Sequence, residues 1–281
     1  MLLTWLLFLI FFYYYFKIMT KLSQHFILFL LFYFVFTLCI CGQSSSYEFL
    51  TPLKIEAFYT FDFKEDDTDN TFYINSFVLQ VGANNKSKFS SHEKLLSDEF
   101  NMNSNVSNER LNYMNADNPV APIYLQSELF KENDQVTHYN RVGFDIYSYQ
   151  ESIATILDWK ISNEKKRIEG YVCQKATCTY GDKTYEAWFT KQVPIAEGPY
   201  KFKGLPGLIV KLYDLDKDYV FTLVYLKKLA SNKRIIIEKS YQNSTSIDKN
   251  AYHSILSKSI KNTSINLPTE LGCSRHGLHD H

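Results

Sequence analysis

The sequence predicts a mainly β (α+β) single domain: a bent antiparallel sheet or half-barrel with one or two helices packed on it. Three observations carry that prediction. Apolar and polar residues alternate from Lys54 to Phe63, with Ile55, Ala57, Tyr59, Phe61 and Phe63 on one face. Gly181-Asp182 separates two runs, ending at Tyr180 and starting at Lys183, in the manner of a tight hairpin. The chain also holds 21 Tyr and 22 Phe, residue types that suit a half-buried pleated surface.

The N-terminus reads as a leader, residues 1–42. Two apolar runs, Leu2 to Phe16 and Phe26 to Ile40, flank Lys17, Thr20 and Lys21. Each is about 15 residues, short of the roughly 20 a spanning helix needs. Translation from Met19 gives a signal peptide with Lys21 as its charge and Phe26 to Leu38 as its apolar region. Cleavage then follows Ile40-Cys41-Gly42. The alternative is an uncleaved membrane anchor. Acylation of Cys41 is disfavoured because Ile40 occupies the position of a small residue.

Residues 43–267 then form one β-rich domain, large enough for its own core. Lys54 to Phe63 and Thr71 to Val81 pair as a hairpin across a charged turn, Lys64 to Asn70. Ser90 with Glu93 reads as a capping box for a short helix that turns Leu95, Leu96 and Phe100 inward. Asn101 to Asn118 shows no periodicity and reads as a loop. Strands are predicted at Gln135 to Phe144 and Tyr147 to Ile161, with a turn at Asn163-Glu164-Lys165. Arg167 to Tyr180 and Lys183 to Thr190 form the clearest hairpin. Leu208 to Tyr213 and Tyr219 to Lys227 form another, and Arg234 to Glu238 adds an edge strand. An amphipathic helix closes the domain at Asp248 to Lys261, with Tyr252, Ile255, Leu256 and Ile260 on one stripe. Residues 268–281 read as a flexible His-bearing tail.

In Gly204-Leu205-Pro206-Gly207-Leu208-Ile209, Pro206 presets the second position of a type II turn and Gly207 supplies its positive φ. These six residues resemble the signature of the GLPGLI family of exported Bacteroidota proteins. Phe77 to Gly82, Gly170 to Ala176, Ala187 to Thr190 and Gly198 to Phe202 extend the resemblance over about Phe77 to Phe221. It implies an exported, periplasmic or outer-envelope protein that is largely β. It supplies no activity, cofactor or catalytic residue, and Cys178 and the segment from Cys273 to His281 lie outside the pattern.

The candidate surface for a ligand or partner follows from glycines that admit close approach and from rings beside them. It comprises Trp188, Gly198, Pro199, Tyr200, Phe202, Gly204, Pro206 and Gly207. The competing reading makes this stretch a connection whose rings fill the core. Asp214, Asp216 and Asp218 alternate as in a calcium loop, but Tyr219 and Tyr225 replace its Gly and Glu, which favours a solvated turn. Cys273, His276, His279 and His281 are metal-donor types in the tail without a specific site. Leu96 stands where a zinc-protease helix beginning at His92-Glu93 needs its second His, and there is no G-x-S-x-G. No catalytic residue, metal or cofactor is therefore expected. Pairing among Cys173, Cys178 and Cys273 stays open: on one straight strand the first two would stand about 16 Å apart.

A formal net charge of zero argues against a nucleic-acid partner. The expected function is non-catalytic binding of a hydrophobic ligand or an envelope protein, with contact to the membrane only through an uncleaved N-terminal segment. An envelope hydrolase or peptidase accessory is the alternative.

Overall fold

A computed structural model describes residues 10–15, 17, 46–64, 72–102, 127–142, 144–228 and 232–261. The chain divides into two compact units, residues 1–45 and 46–281. In the first, residues 10–15 and 17 are helical. The cleavage site, the second apolar run, most of the Asn-rich stretch and the tail with Cys273 lie outside the described residues. Among the described residues no helix is long and apolar enough to cross a membrane.

The second unit is mainly β. Its strands are β1 (Tyr47–Lys64), β2 (Phe72–Gly82), β3 (Lys86–Ser91), β4 (Glu128–Glu132), β5 (Gln135–Val142), β6 (Asp145–Ser152) and β7 (Lys160–Ile168). They continue with β8 (Tyr171–Tyr180), β9 (Lys183–Thr190), β10 (Leu208–Asp214), β11 (Tyr219–Lys228), β12 (Arg234–Glu238) and β13 (Thr245–Ser246). The helices are α1 (His92–Met102), α2 (Ile153–Ile156) and α3 (Lys249–Lys261). One open sheet runs β13-β6-β5-β4-β3-β2-β1-β11-β10-β9-β8-β7, with β12 paired to the start of β1. Every pairing is antiparallel except the short β13–β6 contact.

β1 is the hub because it is long enough to pair with β2 and β11 and, at its start, with β12. The alternation in its sequence becomes two faces. Ile55, Ala57, Tyr59, Phe61 and Phe63 are all buried on the inner face, where Phe61 stacks on Phe221 at 4.4 Å between ring centroids. The outer face is not simply polar surface. Glu56 is 2% exposed and accepts a hydrogen bond from Gln80 at 3.0 Å. Register shifts in β1, β7 and β10 mark where the sheet departs from regular pairing.

Several elements differ from the sequence expectation. The helix cap is Ser91, not Ser90: its Oγ accepts the Lys94 N–H at 3.1 Å, while Ser90 stays in β3 opposite Val78. Asn163-Glu164-Lys165 is not a turn. These residues lie within β7, and a register shift between Ile161 and Lys165 absorbs their poor strand propensity. The turn comes later, at Glu169 (φ 47°) and Gly170 (φ 82°), so residues 167–180 do not form one strand. Likewise residues 147–161 break at α2. Strands β3 and β4 were not anticipated.

Gly207 does not occupy a type II turn. Its N–H bonds to the Leu205 carbonyl at 2.7 Å, the two-residue spacing of a γ-turn around Pro206. Gly207 does have the expected positive φ, at 158°, and it is also required spatially: a Cβ there would stand 2.1 Å from the Thr190 carbonyl oxygen.

Candidate functional site

The segment between β9 and β10, residues 191–207, crosses the inner face as a strap. Phe202 and Leu205 are 0% and 1% exposed, and Phe202 packs against Tyr185 at 4.7 Å between centroids. Buried charges set its register. Lys131 on β4 donates to the Gly198 carbonyl at 2.8 Å and pairs with Glu197 at 3.0 Å. Lys203 reaches the other oxygen of Glu197 at 2.8 Å, and its backbone carbonyl accepts the Trp159 indole N–H at 2.8 Å. Lys201 contacts Glu151 and the Tyr180 hydroxyl, and His138 stands 2.9 Å from the same carboxylate.

The charges divide unevenly. Burial raises the Glu197 carboxyl pKa, but two ammoniums, Lys131 and Lys203, bring it below its ordinary value. For Lys131 burial outweighs its single carboxylate, with Lys203 adding repulsion, so its pKa falls. Burial opposes Glu151 as a carboxylate, yet the His138 hydrogen bond and the Lys201 charge lower it to about 2.

The expected surface residues therefore separate. Phe202, Gly198 and Pro199 are buried under or within the strap, Tyr200 is half-buried, and Gly204 and Pro206 are exposed. Gly207 is buried at the Thr190 backbone. Trp188 lies on the other face, since it alternates with Tyr185, Ala187 and Phe189 along β9. Its cover comes neither from the strap nor from a partner. The Lys166 ammonium sits 3.8 Å from the ring centroid and Lys175 5.9 Å, while the indole N–H donates to Glu186 at 2.8 Å. Glu186 also accepts from the Tyr213 hydroxyl and pairs with Lys175 at 2.6 Å.

Beside this ring lies a groove of about 460 Å³. Lys166, Arg167, Lys211 and Lys217 line it over a floor that includes Tyr213 and Val220, and Glu169 is its carboxylate. Register explains the convergence. Lys211 stands opposite Trp188 and Tyr213 opposite both Glu186 and Val220, so one face of β10 and β11 supplies the floor, with β9 alongside. Sequence reasoning found Trp188 but missed the lysines. Lys166 and Arg167 stand in a short basic run on β7, Lys211 on β10 and Lys217 in the turn after it, and these three places carry no joint signal until the sheet is assembled.

The Asp214, Asp216 and Asp218 carboxylates do gather within 4.8 Å of one another. Lys183 places its ammonium at 2.8, 3.5 and 2.9 Å from them and so fills the place of a cation. Cys173 and Cys178 are both free on the one strand β8, and register puts them on opposite faces, beside Lys166 and Tyr185 respectively.

A family profile described as a protein of unknown function, Porph_ging, matches residues 179–211, which take in β9 and the strap. No curated protein matches the chain in sequence. A crystal structure of PNGF-II aligns at 18% identity with a TM-score of 0.50, covering 74% of this chain and 34% of its own. A second crystal form gives 17%, 0.50, 74% and 33%. The chain thus spans about a third of the length of PNGF-II, and the likeness is one of fold. A LolA superfamily protein from Nitrosomonas europaea aligns at 6% identity over 63% of this chain and 86% of its own, with a TM-score of 0.28, too slight a likeness to argue from.

Proposed function

We propose that this chain is an exported cell-envelope protein with a non-catalytic binding role, and that it engages an envelope partner on the outer face of its sheet. One observation carries the choice of face. The inner face, where a curved sheet would hold a hydrophobic ligand, is occupied by the strap, with Phe202 and Leu205 at 0% and 1% exposure. The outer face instead presents an open groove with an aromatic and basic lining. The non-catalytic reading draws support from the polar clusters. Lys201, Glu151 and His138 are mutually paired within the fold, as are Lys88, Asp98 and Glu128 on the opposite face. Groups so occupied serve registry more readily than turnover.

The test is a photo-crosslinking residue in place of Lys217, at the groove, and in a second variant in place of Thr245, at the far edge strand. A defined envelope component should cross-link from position 217 in cells and not from 245. No adduct at 217, or equal adducts at both, removes the outer face from consideration. Stoichiometric lipid retained in native mass spectrometry of the protein from its own envelope would move the site under the strap.

A further inference from the structure

Starting from the reading that the outer face is the working face, we propose that the groove binds a compact, multiply charged phosphate, such as a phosphomonoester or diphosphate carrying an apolar substituent. Four cationic side chains line a space of about 460 Å³ in a chain whose formal net charge is zero. That concentration is a local sorting of charge. Among the described residues none of Lys166, Arg167, Lys211 and Lys217 is in a salt bridge with a carboxylate.

The nearby carboxylates are engaged by other groups, though not all neutralised. Asp214, Asp216 and Asp218 converge on Lys183, and Glu186 is engaged by Lys175, Trp188 and Tyr213. Opposition comes from Glu169 in the lining and from Asp62, which feels the charge of Lys211. In the lining itself four cations face the one carboxylate of Glu169, while the neighbouring turn keeps two negative charges beyond the ammonium of Lys183.

The ligand class follows from charge number and shape. A monocarboxylate would satisfy one of four cations, whereas a phosphomonoester carries about −1.5 to −2 at neutral pH and three acceptor oxygens. Arg167 offers the planar fork that matches such oxygens, and lysines act as point charges around it. Tyr213 and Val220 give the floor an apolar surface for the substituent. Lys217 is presented from a backbone at φ 60°, held by its N–H to the Asp214 carbonyl at 2.8 Å, so the turn fixes its position at the groove. Soluble phosphates and phosphate-bearing lipid headgroups share this chemistry.

Calorimetric titration of the purified protein with inorganic pyrophosphate in about 50 mM salt tests the proposal, because phosphate contacts weaken with ionic strength. Saturable binding to one site is expected. Lys211→Gln and Lys217→Gln should each weaken it about tenfold, and the double variant about a hundredfold. Lys227→Gln with Lys228→Gln, on the exposed end of β11, should leave it unchanged. Vesicles of phosphatidylcholine with and without phosphatidic acid distinguish the sources. Capture by phosphatidic acid that the double variant loses assigns a headgroup, while pyrophosphate binding without vesicle capture assigns a soluble ligand. Absence of saturable binding to either probe, or equal loss in the Lys227 and Lys228 control, overturns the proposal. If cross-linking from position 217 persists in that event, only the ligand class has failed. Phosphate binding without any cross-link would instead defeat the partner reading and keep the groove's chemistry.

Discussion

At the scale of single residues, two positions test whether the packing is understood. Gly207 stands so close to Thr190 that a Cβ would lie 2.1 Å from the carbonyl oxygen and 2.6 Å from the carbonyl carbon. Both are backbone atoms, so neither can swing away. Gly207→Ala should cost about 3 kcal/mol, the upper end for overpacking, measured as a lowered urea midpoint. An unchanged midpoint would mean the strap stands off β9. Trp188 is 1% exposed with two lysine ammoniums near its ring, and Trp188→Ala should cost about 3–5 kcal/mol. A stable, folded alanine variant would show that the ring is surface after all. The sequence made Gly207 and Trp188 conspicuous, but for incomplete reasons. Pro-Gly suggested a turn by local preference, whereas the real constraint is a neighbour seventeen positions earlier in the chain that no local pattern can express.

At the scale of elements, alternation and tight turns were legible wherever one strand face is apolar. β1 and the first half of β11 follow their alternation closely, whereas β9 is buried on both faces. β4 and β7 did not announce themselves, because a polar side chain on β4 is satisfied by a partner far away in sequence and those on β7 face solvent. Lys131 is fully buried yet paired with Glu197, and β7 is mostly exposed with a register shift inside it. The strap behaves as an element of its own, and acid should loosen its hold on β6. Glu151 sits at about 2 when folded and near its ordinary 4.5 when unfolded. A depressed carboxyl stabilises the fold above its unfolded value, and that stability is lost as pH falls from about 4.5 through 2. The urea midpoint should therefore drop over that window, and Glu151→Gln should flatten part of the drop. A variant with the wild-type acid profile would mean the carboxylate does not hold the strap. The cysteines of β8 offer a separate check. Burial raises Cys173 to about 11 and Cys178 to about 12. Both should resist a thiol reagent at neutral pH until the protein unfolds, and a Cys173–Cys178 bridge in the peptide map would contradict their placement on opposite faces.

At the scale of the whole molecule, the sheet has a division of labour that composition alone could not reveal. Equal numbers of acidic and basic residues suggest a bland electrostatic character. The fold instead places opposite charges in internal registry and gathers in one groove four cations that form no salt bridge among the described residues. The N-terminal boundary belongs to this scale too. β1 begins at Tyr47, whose hydroxyl donates to Asp98 at 3.2 Å and ties the start of the sheet to α1. Contacts divide the chain between Ser45 and Ser46, so the described fold begins just beyond the expected cut after Gly42. Removal of residues 1–42 should leave stability unchanged within about 0.5 kcal/mol, since every described strand begins beyond it. Mature protein from cells should begin at Gln43 by N-terminal mass analysis. A chain expressed from Gln43 should then unfold in a single transition at the midpoint of the isolated mature protein. A mature form that keeps Phe26 to Ile40 would establish an anchor in place of a leader. A Gln43 chain with a clearly lowered midpoint would show that the leader residues pack on the sheet.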